Sequence, residues 1–146
     1  RLVNPDSNEG LPPFLTSHPG ISSGFMMLQV TAVALLSEAK VLAHPASIDN
    51  VPTDGGKEDH VSMGMTSATK LRSIVKLAEL VAAIELLAAA QALDYRAPLA
   101  PGRGVKEAHR IVRTLVEPLT ADRSMAGDIE KIRSAIAQGD FDSLLN

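Results

Sequence analysis

The amino-acid sequence predicts an all-α protein, a bundle of long helices, and three observations lead there. Hydrophobic residues make up 45% of the 146 positions while aromatic residues make up only 3%. The apolar content is therefore Ala, Leu, Val, Ile and Met, which suits close-packed helices better than a sheet core. Leu71, Ile74, Val75, Ala78, Val81, Ala82, Ile84, Leu87 and Ala88 recur with the 3.6-residue period of a helix. Proline and glycine, finally, gather between the apolar stretches and not within them.

Residues 1–20 read as an irregular, extended arm, because Pro5, Gly10, Pro12, Pro13, Pro19 and Gly20 interrupt any periodicity. Residues 21–43 then form a helix from about Gly24 to Ala43, with Ser22 or Ser23 as its cap. Phe25, Leu28, Ala32, Leu35, Leu36, Ala39 and Leu42 lie along it, while Met26, Met27, Val30, Val33 and Ala34 fill the opposite side. A helix apolar nearly all round is expected to be buried on all sides. Gln29 and Thr31 interrupt it, and it falls short of the roughly 20 apolar residues that a membrane span requires.

His44-Pro45 ends this helix, since proline pushes the residue before it out of the α region. Residues 44–61 form a long connection, of the length that in compact domains often carries function. The long helix follows over residues 62–95, roughly Ser62 to Leu93, and at 1.5 Å per residue it would span about 45–50 Å. That exceeds the ~30 Å diameter of so small a domain, so the rod needs partners outside this chain. Ala97 to Gly104 ends it, and residues 104–146 hold two shorter helices, Val105–Val116 and Gly127–Gln138, with Gly139 as the C-terminal cap of the second. No internal repeat is present.

The formal net charge of −3 and the pI near 5.8 exclude the basic excess of a dedicated nucleic-acid binder. The chain has no cysteine, which rules out disulfides and thiolate metal sites and fits a reducing compartment. It shows no signal-peptide pattern, and it begins at Arg1, so residue 1 is not expected to be a native start.

The sharpest candidate site is the run Asp54-Gly55-Gly56-Lys57-Glu58-Asp59-His60. Glycines allow positive φ and close approach of a ligand, and the charges stand at the entrance to the long helix, where free N–H groups favour anions. A carboxylate there could act as a general base or receive a cationic ring. Alternatively, Asp59 is a helix-start residue and the others are solvated turn charges. Glu58, Asp59, His60 and His44 could be assembled as metal ligands, but the spacing of known sites is missing. His18, His44 and His109 have no partner pattern. Arg103, Lys106, Arg110 and Arg113 line one helical face and could meet phosphates or an acidic partner, or simply be solvated. Met26, Met27, Met63 and Met65 fit core packing. Ser22-Ser23-Gly24 lacks the surroundings of a nucleophile elbow.

Several blocks, in order along essentially the whole chain, resemble the C-terminal portion of the aromatic amino-acid ammonia-lyases, and specifically their histidine branch. They are Gly10-Leu11-Pro12-Pro13-Phe14-Leu15, Ser23-Gly24-Phe25-Met26 with Gln29-Val30-Thr31-Ala32, Ser37-Glu38 with Lys40, Leu42-Ala43-His44-Pro45-Ala46-Ser47, Glu58-Asp59-His60-Val61-Ser62-Met63-Gly64 and Glu85-Leu86-Leu87-Ala88-Ala89-Ala90-Gln91. The resemblance implies an all-α, cytoplasmic, homotetrameric lyase that converts L-histidine to trans-urocanate and ammonia, with no nucleic-acid or membrane partner. Its electrophile would be a methylidene-imidazolone made from an internal Ala-Ser-Gly. That triplet does not occur in this sequence, where the nearest strings are Ala46-Ser47-Ile48 and Ser22-Ser23-Gly24. The family's catalytic tyrosines are expected upstream, and Tyr95 stands in the wrong block to replace them. The chain should therefore need the rest of the polypeptide for activity.

Glu58 matches the family's active-site glutamate, which implies contact with the substrate imidazole and help with proton transfer. An acidic group facing an imidazole supplies charge-assisted hydrogen bonding that a phenyl or phenol ring cannot return. Asp59 and His60 match the motif as support for the loop or for contacts between subunits. Lys57 departs from the usual glutamine, and Asp54-Gly55-Gly56 departs from the usual small polar run. The rival readings are a sister tyrosine or phenylalanine ammonia-lyase or aminomutase, and a non-catalytic helical interaction module.

Overall fold

The computed structural model describes residues 1–145. Four α-helices organise these residues: α1 Met26–Leu42, α2 Gly64–Asp94, α3 Arg103–Leu115 and α4 Ala126–Gln138. No strand occurs among the described residues. α2 is the axis, with α1, α3 and α4 packed against it. α1 runs antiparallel to α2. Phe25 and Leu28 at its start share a cleft with Ile84, while the carbonyl of His44 just beyond its end accepts from Lys70.

The arm over residues 1–20 is not extended, as its prolines and glycines suggested. It is a string of tight turns, in which the amides of Asn4, Ser7, Leu11 and Leu15 donate to carbonyls three residues earlier. Its fixed φ angles turn the chain back on itself, so that Val3, Leu11 and Leu15 become buried in the core. α1 begins at Met26, and neither Ser22 nor Ser23 caps it. Gly24 takes φ +53°, where an added Cβ would stand 2.4 Å from the carbonyl oxygen of Phe14, so only glycine fits. The amides of Ser23 and Gly24 instead donate to the carboxylate of Asp122, at 2.7 and 2.9 Å. A distant acid does the work that a local cap was expected to do. The third helix starts at Arg103 and the fourth ends in a left-handed Gly139, as its sequence signal predicts.

The core gathers Leu15, Phe25 and Leu28 with Ala83, Ile84, Leu87 and Ala90 of α2, Val112 of α3 and Ile132 of α4. All the buried residues of α2 lie between Ala83 and Ala92; none precedes Ala83. α1 is apolar all round but is not buried all round within this chain: Leu28 is its one fully buried residue, whereas Val33 is 61% and Val41 73% exposed. Contrary to the sequence reading, the stretch Met26–Ile48 is long and apolar enough to cross a membrane by length and composition. The same property is shared by core helices of soluble proteins that lie in the middle of larger bundles.

Polar side chains tie the helices at the packed end. Gln91, buried in α2, accepts from the amide of Leu119 and donates to its carbonyl, both at 3.0 Å, and so fixes the segment between α3 and α4. Arg133 of α4 reaches Glu79 of α2 at 3.0 Å.

Candidate functional site

The connection between α1 and α2 is a closed excursion and not a slack loop. Two short 3-10 turns, Ala46–Ile48 and Asp54–Gly56, give it local structure. Its base is clamped by Asn50, whose side chain accepts from the amide of Val61 at 2.9 Å and donates to the carbonyl of the same residue. Lys70 of α2 holds the carbonyl of His44 from the other side.

Inside this clamp Thr53 and Glu58 face each other as an antiparallel pair. The amide of Thr53 donates to the carbonyl of Glu58 at 2.8 Å, the amide of Glu58 returns a bond to the carbonyl of Thr53 at 3.3 Å, and the Thr53 hydroxyl donates to Glu58 Oε2 at 2.8 Å. A tight turn with φ values of +52°, +63° and +85° at Asp54, Gly55 and Gly56 makes the pairing possible. Two consecutive glycines suit it because most side chains resist the left-handed region. The structure thus fixes the Glu58 carboxylate by a side chain that sequence reasoning missed. The available signal was a threonine on the near side of Asp-Gly-Gly, level with the glutamate on the far side.

Two parts of the sequence reading need correction. α2 begins only at Gly64, after Met63 in a left-handed conformation, so Glu58 is not seated against the helix tip and Asp59 is not its start residue. Asn50 claims Val61 and thereby holds the charged turn off the helix. Secondly, residues 51–60 are exposed throughout, including Lys57, Glu58, Asp59 and His60, and none of these four lines any of the five main cavities among the described residues. The turn presents its charges outward. No group of three or more His, Asp or Glu among the described residues is placed to hold a metal ion, and His44 does not join Glu58, Asp59 and His60.

Elsewhere, His109 does have a partner. Its Nε2 lies 2.7 Å from Asp94 Oδ1, while Asp94 Oδ2 accepts from Arg113 at 2.6 Å. The basic stripe is consequently not uniform, because Arg113 is drawn into this network and Arg110 pairs with Glu107 at 2.5 Å. The bond to Arg110 holds the Glu107 carboxyl below its ordinary range.

The structure defines a class: an α-helical bundle with one outward-facing turn, carrying Glu58 and Asp59, between its two longest, antiparallel helices. The family model described as aromatic amino acid lyase matches residues 1–114, and the chain belongs to that family. Among its relatives, a histidine ammonia-lyase of Anaeromyxobacter sp. (strain K) is 54% identical over 139 residues, which is 95% of this chain and 27% of the relative. One from Natranaerobius thermophilus is 53% identical over the same share. The crystal structure of histidine ammonia-lyase from Trypanosoma cruzi superposes with a TM-score of 0.92 at 39% identity, over 98% of this chain and 28% of that one. Tyrosine aminomutase from Streptomyces globisporus superposes with a TM-score of 0.91, also at 39%, over 99% and 28%. The chain therefore spans little more than a quarter of the length of the relatives it matches.

Proposed function

We propose that the protein of which this chain forms part eliminates ammonia from L-histidine to give trans-urocanate, with Glu58 meeting the imidazole of the substrate. The observation that carries the reading is the identity above 50% with relatives named histidine ammonia-lyase over 95% of the chain. The site supports it chemically. The Thr53 bond orients Glu58 Oε2 and leaves Oε1 to accept from a ring N–H, a charge-assisted contact that selects imidazole over phenol. An acid in this place can also hold and return a proton.

In this reading the outward direction of the turn has a meaning: Glu58 completes a pocket whose other walls come from the remaining polypeptide or from neighbouring subunits of a homotetramer in the cytoplasm. The exposed apolar faces of α1 and of the first half of α2 would lie against those same parts. Lys57, Asp59 and His60 support the turn or its contacts. The methylidene-imidazolone of the family would supply the electrophile, and no Ala-Ser-Gly from which it could form occurs in this sequence.

Glu58→Gln in the assembled protein should lower urocanate formation, followed by ultraviolet absorbance, by about 100-fold or more while the melting temperature stays unchanged. Near-normal turnover would overturn the role of Glu58. The nearly equal structural likeness to tyrosine aminomutase favours a second reading, a tyrosine-directed enzyme of the same fold. Assay of the assembled protein on histidine, tyrosine and phenylalanine separates the two.

A further inference from the structure

The proposed role of Glu58 requires its turn to stand in one place, yet burial does not hold it there. Every residue from Val51 to His60 is exposed, so no packing against a core fixes their position relative to the helices. Backbone pairing does not attach them either. Between Asn50 and Ser62 the backbone hydrogen bonds all lie within residues 53–58, and none of them reaches α1 or α2.

A hairpin is ordinarily lengthened by further backbone pairs behind its first one. Here the chain makes none: Pro52 has no N–H to give, and Val51 and His60 exchange no backbone bond. Asn50 takes over that task. Asn50 and Val61 each stand three residues out from Thr53 and Glu58, so the two ties keep one antiparallel register. Asn50 Oδ1 accepts from the amide of Val61 at 2.9 Å and Nδ2 donates to the carbonyl of Val61, the two bonds that a neighbouring backbone would have made. Asparagine suits the position because one planar group carries both a donor and an acceptor, whereas a carboxylate only accepts. Val61 is half-buried and stands three residues before Gly64, where α2 begins. Apart from the Thr53–Glu58 pair, no other hydrogen bond among the described residues joins the segment before the turn to the segment after it.

We infer that Asn50 is a positioning residue for the reaction: by pairing with Val61 it sets where the Glu58 carboxylate stands relative to α2. The inference rests on the proposed role of Glu58 and extends it to a residue that touches no substrate. Without the amide pair, residues 51–60 keep the Thr53–Glu58 bonds but swing as a unit about their two ends. The carboxylate then spends less time facing the ring N–H, and a misplacement of about 1 Å in a reacting group can lower a rate by about 100-fold. The pair lies outside the hydrophobic core, so its loss leaves global stability unchanged.

The test combines hydrogen exchange with urocanate kinetics on the assembled protein. Asn50→Ala removes both bonds, and Asn50→Asp keeps the shape and the acceptor but loses the donor. Each is made in the wild type and in Glu58→Gln, and melting temperatures verify the fold. Amides of residues 53–61 should exchange faster in both variants while those of α1 and α2 do not change. The kcat should fall about tenfold or more in the wild-type background, yet less than about twofold in the Glu58→Gln background, because a residue that acts through Glu58 has nothing left to position. Unchanged exchange at residues 53–61 overturns the proposal, and so does an equal loss of kcat in both backgrounds. Near-normal turnover of Glu58→Gln by itself removes the reading of Glu58 and this proposal with it. An essential Glu58 beside a wild-type kcat in Asn50→Ala removes the positioning role alone.

Discussion

The two halves of α2 belong to one continuous helix yet live in different surroundings. From Ala83 to Ala92 the helix buries six residues against the N-terminal turns, α3 and α4. From Gly64 to about Leu80 it buries none: α1 and the residues just after it lie alongside, α4 reaches it through the Arg133–Glu79 pair, and Leu71 and Val75 stay exposed. The sequence pattern does not change at the boundary, since the same 3.6-residue stripe runs through both halves. Amphipathic periodicity therefore reports that a face is to be covered, not that this chain covers it. The packed half holds the α2 part of the core, and the other half, which follows the acidic turn, leaves its apolar positions uncovered among the described residues. For a chain spanning little more than a quarter of its relatives, the rest of the fold is the natural cover.

The largest effect should come from testing that division directly. Leu87, 1% exposed, sits in the centre of the packed half, and Leu87→Ala should cost about 2–5 kcal/mol of stability wherever it is measured. Leu71, 59% exposed here, should lose almost nothing on truncation in this chain alone. In the assembled protein, Leu71→Ala should approach the cost of the Leu87 change if subunits or further segments cover it. Denaturant unfolding of both variants in both contexts reads this out. A Leu71→Ala variant that stays neutral in the assembled protein would break the comparison, since that face would then be truly solvent-facing.

A middle-sized effect is expected in the acidic turn, where order persists without burial. Thr53→Val removes the hydroxyl that donates to Glu58 Oε2 while keeping a β-branched side chain. Turnover of the assembled protein should fall by about 3- to 10-fold, and Thr53→Ser, which restores the donor, should recover most of it. An unchanged rate in Thr53→Val would mean that the bond does not orient the acid. A loss that serine fails to rescue would point to packing by the methyl group.

How much of this was legible beforehand follows the same line between local and distant causes. α2, the C-cap at Gly139 and the all-helical class depend on periodicity and on residues close in sequence, and the sequence showed them. The turn around Glu58 was visible as a place, because Asp-Gly-Gly is a local signal. Its mechanism was not visible, because Thr53, Asn50 and Val61 act through a pairing that only the folded backbone sets. The start of α1 was misplaced for a stronger form of the same reason. The group that takes the amides of Ser23 and Gly24 is Asp122, nearly a hundred residues away. His109 was read as partnerless because Asp94 lies on another helix.

That distant contact gives the smallest expected effect and the finest test of how the two halves are joined. Asp122 anchors the start of α1 to the packed end, while the remainder of α1 runs out along the first half of α2. Its carboxyl lies below the ordinary value because the amides of Ser23 and then Gly24 donate to it. A carboxyl with a lowered folded-state pKa contributes stability that is fully present above its unfolded value, near 3.8, and is lost as pH falls through the folded-state value beneath it. The melting temperature of Asp122→Ala should therefore lie modestly below that of the wild type at neutral pH. The gap should begin to close as pH drops past the ordinary aspartate range, and it should vanish once the folded carboxyl protonates. The modest size follows from the solvent around this side chain, which screens its charge. Hydrogen exchange at neutral pH should show the faster amides of the variant at Ser23, Gly24 and the first turn of α1, not in α4. A melting gap that stays constant down to pH 2 would mean that Asp122 acts by shape and not by charge, and the start of α1 would then be held by Gly24 and the Phe14 carbonyl alone.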